Sequence, residues 1–454
     1  MRFIVGFVLA LLLIAGGVWI FAGTMSGPAI DIRQPAKVLG ANGTLEVAID
    51  APQGALSGLE VAFEQQGKRT VVAALTGTDA TLTQDGPDRI RVQRPLNRSS
   101  VPGLQSGPAR IVVTAARPVV YGIRTIESSA TRDVAVRLEP PRASVVSTHH
   151  YINLGGAEMV VYRVTPPDVA SGVRVGDVEY RGFPASGAGA LAGVKITDPA
   201  LHVAFFALLH DQELNTPMHV FARDEAGNTA RADFDHRVFP KPFRRSRIEV
   251  DDSFVGRVVP AILERTPDLK PDGDDIAKFL VINRDLRRQN AETIEKLASQ
   301  TAAEALWTGP FQQLGNSKVE SAFADHRTYF YKGREVDQQI HLGFDLAVTA
   351  NVPIVAANRG RVAFADYLGI YGNCVILDHG LGVQTLYAHL SSFETAAGQT
   401  VEKGQTLGRS GMTGLAGGDH LHFTQLVQGR AVNPVEWWDA HWIEDRVLRK
   451  LRGL

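Results

Sequence analysis

The alternation of apolar and polar residues divides the chain into regions of different period. Residues 3–23 carry no charged side chain, and about 20 consecutive apolar residues are enough for a helix to cross a bilayer. From about residue 28 to residue 240, apolar side chains recur at every second position in short runs, as at Leu45, Val47 and Ile49. This period of two between turn residues is typical of antiparallel strands with one buried face.

The apolar period becomes helical between about residues 241 and 306. The apolar residues from Phe254 to Leu263 follow the spacing of one helix face. The run from Asp274 to Arg288 begins with acids and ends with bases, which matches the helix dipole. Asn290 is a candidate cap for a further helix. We interpret this segment as a rigid spacer, and the alternative is a lid over a cleft.

These periods predict a mainly β fold in six segments. The Pro140-Pro141 pair is a stiff boundary, and the run from Asp224 to Asn228 is a hairpin signal before a last strand, an ending that resembles bacterial immunoglobulin-like domains. The predicted segments are a transmembrane anchor or signal segment (1–27), a β-sandwich domain (28–140), an immunoglobulin-like β-sandwich domain (141–240), a helical linker (241–306), a C-terminal antiparallel β domain (307–440) and a tail (441–454).

The first segment predicts export of the rest of the chain. Its apolar stretch is longer than the roughly 7–15 residues usual in a cleaved signal peptide. We therefore interpret it as a single-pass anchor in the inner membrane, with a cleaved signal peptide as the alternative. Arg2 precedes the stretch and favours an amino end in the cytoplasm.

Charge and cysteine content limit the possible partners. The net charge of −1 gives no basis for binding nucleic acid. The single cysteine, Cys374, excludes a disulfide within the chain. Basic and apolar residues mix in the run from Arg446 to Arg452, which we interpret as a solvated terminal helix. The alternative is an amphipathic helix that contacts anionic lipid.

Histidines and one aspartate near the C-terminus carry candidate metal chemistry. His420 and His422 flank one leucine, and residues two apart on a strand share a face. Four residues of straight strand cover about 13 Å, so His341 and Asp345 can share an ion only if the chain bends at Gly343. Three nitrogen or oxygen ligands with an open water position are the composition of a catalytic zinc site.

His389 adds a further imidazole to this group. By the same period of two it shares a strand face with Tyr387, so a phenol is expected beside it. The adjacent His149 and His150 face opposite ways on a strand, and we interpret them as structural.

The order of these motifs resembles the lysostaphin-type (LytM-like) zinc metallopeptidases of family M23, which cut peptidoglycan peptides. The resemblance runs from about Phe311 to Trp438 and predicts a LytM-type peptidase fold for residues 307–440. The motifs are His341-Leu-Gly-Phe-Asp345, Tyr371-Gly-Asn-Cys-Val-Ile-Leu-Asp-His-Gly380, Tyr387-Ala-His389 and His420-Leu-His422-Phe.

The resemblance implies a Zn²⁺ ion held by His341, Asp345 and His422. It also implies that His389 and His420 are a catalytic, non-ligand pair. This pair would orient a water molecule, accept its proton and stabilise the developing oxyanion. Which of the two histidines is the base stays open.

Four further residues bear on this predicted site. Tyr371 or Tyr387 is a candidate donor to the oxyanion, with packing as the alternative. Asp419 stands where the family often has proline, and Thr424 stands where it often has an acid. Neither residue is an implied ligand, so these differences bear on substrate preference.

The predicted function is a zinc-dependent endopeptidase that hydrolyses peptide cross-links of bacterial peptidoglycan with a metal-activated water. By resemblance, a periplasmic enzyme would cut cross-links that involve D-alanine and diaminopimelate. The alternative is a regulatory or structural wall-binding protein whose LytM-like domain activates another wall hydrolase. Expected partners are peptidoglycan peptides, the inner membrane and cell-envelope proteins bound by the β domains.

The sandwich domains are expected to extend the catalytic domain from the membrane towards the wall. If so, a chain lacking residues 30–240 should lose activity in cells but keep activity on purified sacculi. Equal loss in both assays would contradict this role for the sandwiches.

Overall fold

The computed structural model of the chain describes residues 2–52, 55–76 and 81–454. Met1 of the predicted segment 1–27, and residues 53–54 and 77–80 of the predicted sandwich 28–140, lie outside these ranges. Strands take up 43% of the chain and helices 20%, so the prediction of a mainly β fold is confirmed. The described residues form two compact units, one up to Pro141 together with 223–229, and one of residues 142–222 and 230–454.

The first unit contains a helix and a two-sheet sandwich. In β3, Leu45, Val47 and Ile49 are fully buried, as their alternation predicts, and they pack in one core with side chains of the other sheet. The sheets have the orders β1-β3-β7-β6 and β2-β9-β8-β4-β5. The elements are α1 Arg2–Gly23, β1 Ala29–Gln34, β2 Val38–Leu39, β3 Gly43–Asp50, β4 Gly58–Gln65, β5 Lys68–Ala74, β6 Thr81–Gln84, β7 Arg89–Leu96, β8 Gly107–Val119 and β9 Arg124–Val136.

Helix α1 is long and apolar enough to cross a bilayer. Its stretch Phe3–Gly23 has 21 residues and a mean hydropathy of 2.7. At 1.5 Å per residue, such a helix covers about 30 Å, the thickness of the hydrocarbon core. Both a membrane anchor and a signal sequence have this character.

The second unit begins with a further pair of sheets. Their orders are β10-β12-β16-β15 and β14-β13-β17-β18, and β11 pairs with β19 in parallel. All seven residues of β16 are buried, as expected for a strand covered on both faces. The elements are β10 Arg142–Val145, β11 His150–Asn153, β12 Ala157–Thr165, β13 Ala170–Val175, β14 Val178–Arg181, β15 Phe183–Pro184, α2 Gly189–Ala192, β16 Leu201–Ala207, β17 Met218–Arg223, β18 Thr229–Asp233 and β19 His236–Phe239.

A strand and three helices follow, namely β20 Arg245–Val250, α3 Asp252–Glu264, α4 Asp275–Val281 and α5 Arg287–Ala298. Asp251 and Asp274 cap α3 and α4 by accepting backbone N–H groups. A π-helix, Ile282–Leu286, joins α4 to α5 without a break. The prediction that Asn290 caps a separate helix is therefore wrong. Its side-chain oxygen instead accepts the backbone N–H of Ile370 at 3.0 Å.

The C-terminal region is built on a sheet of order β21-β24-β32-β28-β27-β26-β30, with β33 beside β32. The strands of two three-stranded sheets, β20-β22-β23 and β25-β31-β29, alternate along the chain with those of the large sheet. The elements are β21 Lys318–Ser321, β22 Asp325–Tyr331, β23 Arg334–His341, β24 Phe344–Ala347, β25 Pro353–Val355, β26 Gly360–Tyr367, β27 Asn373–Asp378, β28 Val383–Leu390, β29 Ser392–Phe393, β30 Thr400–Val401, β31 Thr406–Arg409, β32 Leu421–Val427, β33 Arg430–Val432, α6 Pro434–Trp438, α7 Ala440–Ile443 and α8 Arg449–Arg452.

Within the second unit, the C-terminal region and the strands after Pro141 share one core. Trp437 of α6 is fully buried. The centroid of its ring lies 5.7 Å from that of Phe205 in β16 and 5.8 Å from that of Trp307. The helix that ends the sheet region therefore packs on a strand more than 200 residues earlier in the sequence.

The chain end packs against the same core. Ile443, Val447 and Leu451 are spaced by four residues and are each no more than 1% exposed. Lys450 donates to the buried carboxylate of Glu158 at 2.8 Å. The prediction of a solvated terminal helix is wrong, because this helical stripe meets an apolar surface that the sequence pattern does not reveal.

Candidate metal centre

Neighbouring strands bring the predicted ligands together. β24 pairs with β32 in antiparallel register, and Asp345 lies opposite His422. On its other side, His422 lies opposite Ala388 of β28, one residue before His389. His341 is the last residue of β23, and the chain bends before β24 begins.

The bend between β23 and β24 requires Gly343. A Cβ atom at this position would lie 2.6 Å from two ring atoms of His422 and 2.7 Å from the carbonyl oxygen of Phe423. The ring of His422 occupies the space that a side chain would need. The absence of a side chain therefore lets the bend close around the imidazole, so that His341 and Asp345 approach it from one side.

The candidate ligand atoms converge on one point. Nε2 of His341 lies 2.9 Å from Oδ1 of Asp345 and 2.9 Å from Nδ1 of His422. Nδ1 of His422 lies 3.0 Å from Oδ1 of Asp345. All three side chains are buried.

Contacts on the outer sides of the two rings fix tautomers that suit a cation. Nδ1 of His341 lies 3.2 Å from the carbonyl oxygen of Ala322, which can only accept, so the ring proton is on Nδ1. Thr424 donates to a backbone carbonyl and accepts from Nε2 of His422 at 3.0 Å. Two imidazole lone pairs and the Asp345 carboxylate then face each other with no proton between them. This donor set fits a Zn²⁺ ion.

His389 and His420 line the same pocket without belonging to the converging group. Their ring centroids are 4.8 Å apart. Nδ1 of His389 donates to the carbonyl of Thr413 at 2.8 Å, and Nδ1 of His420 donates to that of Gly418 at 2.9 Å. In the neutral rings, each Nε2 is therefore the atom that can accept a proton.

Burial and neighbouring charges shift the pKa values of these groups. Burial lowers the pKa of His389 well below its ordinary value, and His420 and His422 lower it further. Burial acts in the same direction on His420, but the Asp345 carboxylate, 3.4 Å from Nε2, more than offsets it and raises the pKa. Burial opposes ionisation of Asp345, yet the surrounding imidazoles, His341 first, hold its pKa well below the usual value.

Of the two tyrosines, Tyr371 lines the pocket and Tyr387 lies in the core. The ring centroid of Tyr371 lies 5.5 Å from that of His422. Tyr387 is 1% exposed, and its hydroxyl accepts the backbone N–H of Ala357 at 2.8 Å. The expected shared face of Tyr387 and His389 is not found, because the left-handed φ of 63° at His389 breaks the alternation of β28.

Two charged residues of β22 hold the ligands from outside. Nη2 of Arg327 donates to Oδ2 of Asp345 at 2.7 Å, which leaves Oδ1 for the converging group. Asp325 accepts from the hydroxyl of Ser321, and that oxygen lies 3.2 Å from Nδ1 of His341. These two roles are not predicted from the sequence, although the spacing of two between Asp325 and Arg327 is a signal that both face the same side.

We expect Arg327→Met to weaken metal binding by about 10- to 100-fold, as is usual when a group that orients a ligand is lost. The substitution removes the partner of Oδ2 and leaves Asp345 free to turn. Competition between the protein and a chelating dye for Zn²⁺ measures the change. Arg334→Met, at an exposed position on the neighbouring strand β23, is the matched control, and an equal loss in both variants would contradict the orienting role.

The candidate ligands, His389, His420 and Tyr371 line one pocket of about 380 Å³. Its other wall comes from the helical segment and the strand before it, through Asp251, Phe254 and Arg287. The helices therefore border the cleft directly.

The part of the sequence that supplies the candidate metal ligands matches a known protein family. The model of peptidase family M23 matches residues 339–434. This range contains the three converging side chains together with His389 and His420. The residues of β22 and of the helical segment precede it.

Three proteins with similar sequences bear names that describe different activities. The chain is 42% identical over 97 residues to the DD-carboxypeptidase/endopeptidase Mpg of Neisseria meningitidis serogroup B, covering 21% of this chain and 22% of Mpg. It is 27% identical over 164 residues to the peptidoglycan DD-endopeptidase ShyA of Vibrio cholerae, covering 36% and 35%. It is 35% identical over 95 residues to the murein hydrolase activator EnvC of Escherichia coli, covering 21% and 23%.

These alignments span only about a fifth to a third of the relatives' own lengths. The resemblance to lysostaphin-type peptidases drawn from the four motifs is nevertheless confirmed. The chain carries, at its C-terminal end, a domain that belongs to peptidase family M23.

Proposed function

We propose that this protein is a zinc-dependent endopeptidase that hydrolyses peptide cross-links of bacterial peptidoglycan. The observation that carries the proposal is the convergence of His341, Asp345 and His422, beside two further histidines, His389 and His420, that line the same pocket. The M23 match and the relatives named as DD-endopeptidases support this class of substrate.

The chain's own residues account for the acid–base steps. His341, Asp345 and His422 would hold Zn²⁺, and the bound ion would supply polarisation of an amide carbonyl and a water molecule whose pKa is lowered to about 7. His389 and His420 present Nε2 to accept the proton of the attacking water and to return it to the leaving amine. The Tyr371 ring lines the same pocket, so we assign its hydroxyl as a donor to the developing oxyanion.

We further propose that the protein acts in the periplasm or facing the cell wall. Helix α1 is apolar enough for a single-pass anchor in the inner membrane, and peptidoglycan lies outside that membrane. In this arrangement the β domains offer surfaces for other proteins of the cell envelope.

The second candidate function is activation of another wall hydrolase. It is favoured by the likeness to EnvC, whose name describes an activator. An activator needs no complete set of metal ligands, whereas this chain has all three and both flanking histidines. Direct hydrolysis is therefore the function that the geometry supports best.

The test is digestion of purified sacculi by the purified full chain in detergent, with mass analysis of the released fragments. We expect soluble peptides cut at the cross-link, loss of release to background with a chelator, and recovery with added Zn²⁺. Sacculi incubated with chelator-treated protein are the control. Protein that holds one equivalent of metal and releases no fragment would contradict the proposal and direct attention to activation of a second hydrolase.

A further inference from the structure

The wall of the pocket formed by the helical segment carries a cation with an unusual environment. Arg287, the first residue of α5, lines the pocket together with the candidate metal ligands. Its Nε donates to the carbonyl of Asn283 at 3.0 Å, and its Nη2 donates to the side-chain oxygen of the same residue at 2.7 Å. Both acceptors are neutral.

The neighbouring arginines of the same helical run are paired with acids. Arg284 lies 2.8 Å from Asp337, and Arg288 lies 2.6 Å from Glu292. Within the part of the chain that the structure describes, no carboxylate oxygen lies within 4.0 Å of the guanidinium nitrogens of Arg287. A positive charge without an acid partner thus borders the cleft in which an amide would be cut.

Arg287 is also held in a fixed place. It follows directly after the π-helix Ile282–Leu286, and such wide turns occur often at functional sites. Asn283, which orients the guanidinium, is fully buried and donates to Asp337 at 2.8 Å. The guanidinium is therefore oriented before any ligand arrives, which lowers the entropic cost of binding.

The unused donors of Arg287 match a carboxylate. A guanidinium has five N–H groups in a planar fork, and Asn283 takes two of them, one on Nε and one on Nη2. The two donors of Nη1 and the second donor of Nη2 are left, and a carboxylate can accept from both of these nitrogens at once. Burial raises the pKa of the nearby Tyr371, and the charge of Arg287 opposes this rise.

We propose that Arg287 is a subsite for a free carboxylate on the residue at the leaving side of the scissile amide. This inference rests on the proposed peptidase function and names its substrate class: peptides in which a carboxylate stands close to the bond that is cut. The subsite lies outside the matched M23 range, so it would belong to this chain's helical segment rather than to the shared catalytic domain.

The experiment compares two synthetic peptides that differ in one group, an acylated D-alanyl-D-alanine peptide with a free C-terminal carboxylate and its C-terminal amide. We expect the full chain to favour the acid over the amide by about 10- to 100-fold in kcat/KM, mainly through KM, as for a charge-assisted hydrogen bond. In Arg287→Met the ratio of the two kcat/KM values should fall to about one. Arg288→Met, which removes an exposed arginine of the same helix, should keep the wild-type ratio.

Each outcome of this comparison decides something. A wild-type chain that cuts both peptides equally, or an Arg287→Met chain that keeps the preference, overturns the subsite while the proposed function stands. A wild-type chain that cuts neither peptide counts against the proposed function on this substrate class. In that case calorimetric titration with the same two peptides tests the subsite alone, since tighter binding of the acid by wild type but not by Arg287→Met supports it and equal binding overturns it. Thermal unfolding of each variant separates loss of the subsite from loss of the fold.

Discussion

Replacing His389 with glycine is expected to lower the rate of cross-link hydrolysis by about 10²- to 10⁴-fold, the usual contribution of a positioned acid–base group. The ligand atoms come from His341, Asp345 and His422, so the variant should still bind one equivalent of Zn²⁺. Mass analysis of digested sacculi gives the rate, and elemental analysis of the purified protein gives the metal content.

Glycine is chosen because the backbone at position 389 has an unusual conformation. His389 has a left-handed φ of 63°, which glycine adopts freely and alanine does not. His149 is an exposed histidine with a φ of 60°, so His149→Gly is a matched control that should keep full activity. A His389→Gly protein with unchanged rate would show that His389 takes no part in proton transfer, and one without metal would show that it supports the ligands instead.

Replacing Trp437 with alanine is expected to lower the free energy of unfolding of the second unit by about 3–5 kcal/mol, the range for removing a large buried aromatic side chain. The ring is fully buried, and its centroid lies within 6 Å of those of Phe205, Trp307 and Phe311. Phe205 lies in the second pair of sheets and Trp307 lies at the start of the C-terminal region, so the loss should reach both regions.

Hydrogen exchange at increasing urea concentration can locate this effect. Peptides from β12 and from β32 should both lose protection at lower urea in the Trp437→Ala protein, because they belong to one core. Val435→Ala, at a position of the same helix that is 46% exposed, is the control and should change little. Protection of β12 that stays at the wild-type level would contradict a shared core.

Much of the candidate metal centre could be predicted from the sequence, because local geometry sets the spacing of its residues. The strand period places His420 and His422 side by side, and the steric need for a bend between His341 and Asp345 points to Gly343. The four motifs, in their order, indicated the resemblance to peptidase family M23. These signals are short in range, and each depends on a few neighbouring residues.

The sequence could not supply the contacts that depend on distant parts of the chain. Arg327 and Arg287 reach the cleft from β22 and α5, and their neighbouring residues do not show which other strands these elements will meet. The position of the His389 side chain depends on the left-handed backbone conformation of this residue, which histidine adopts only occasionally. The packing of Leu451 on the second pair of sheets likewise follows from the tertiary fold and not from the amphipathic pattern of the tail.

The core that Trp437 shares with Phe205 limits where the chain can be truncated. Removal of residues 30–240 would expose apolar side chains of the C-terminal region that now pack against the second pair of sheets. Such a protein would therefore have to be shown to be folded and soluble before its activity could report on the role of the sandwiches as spacers. A truncation that ends at Pro141 keeps the second unit whole, and it also keeps residues 223–229, which belong to the first unit. The part of the chain that keeps this shared core, residues 142–454, is therefore more than three times the length of the stretch that matches the family.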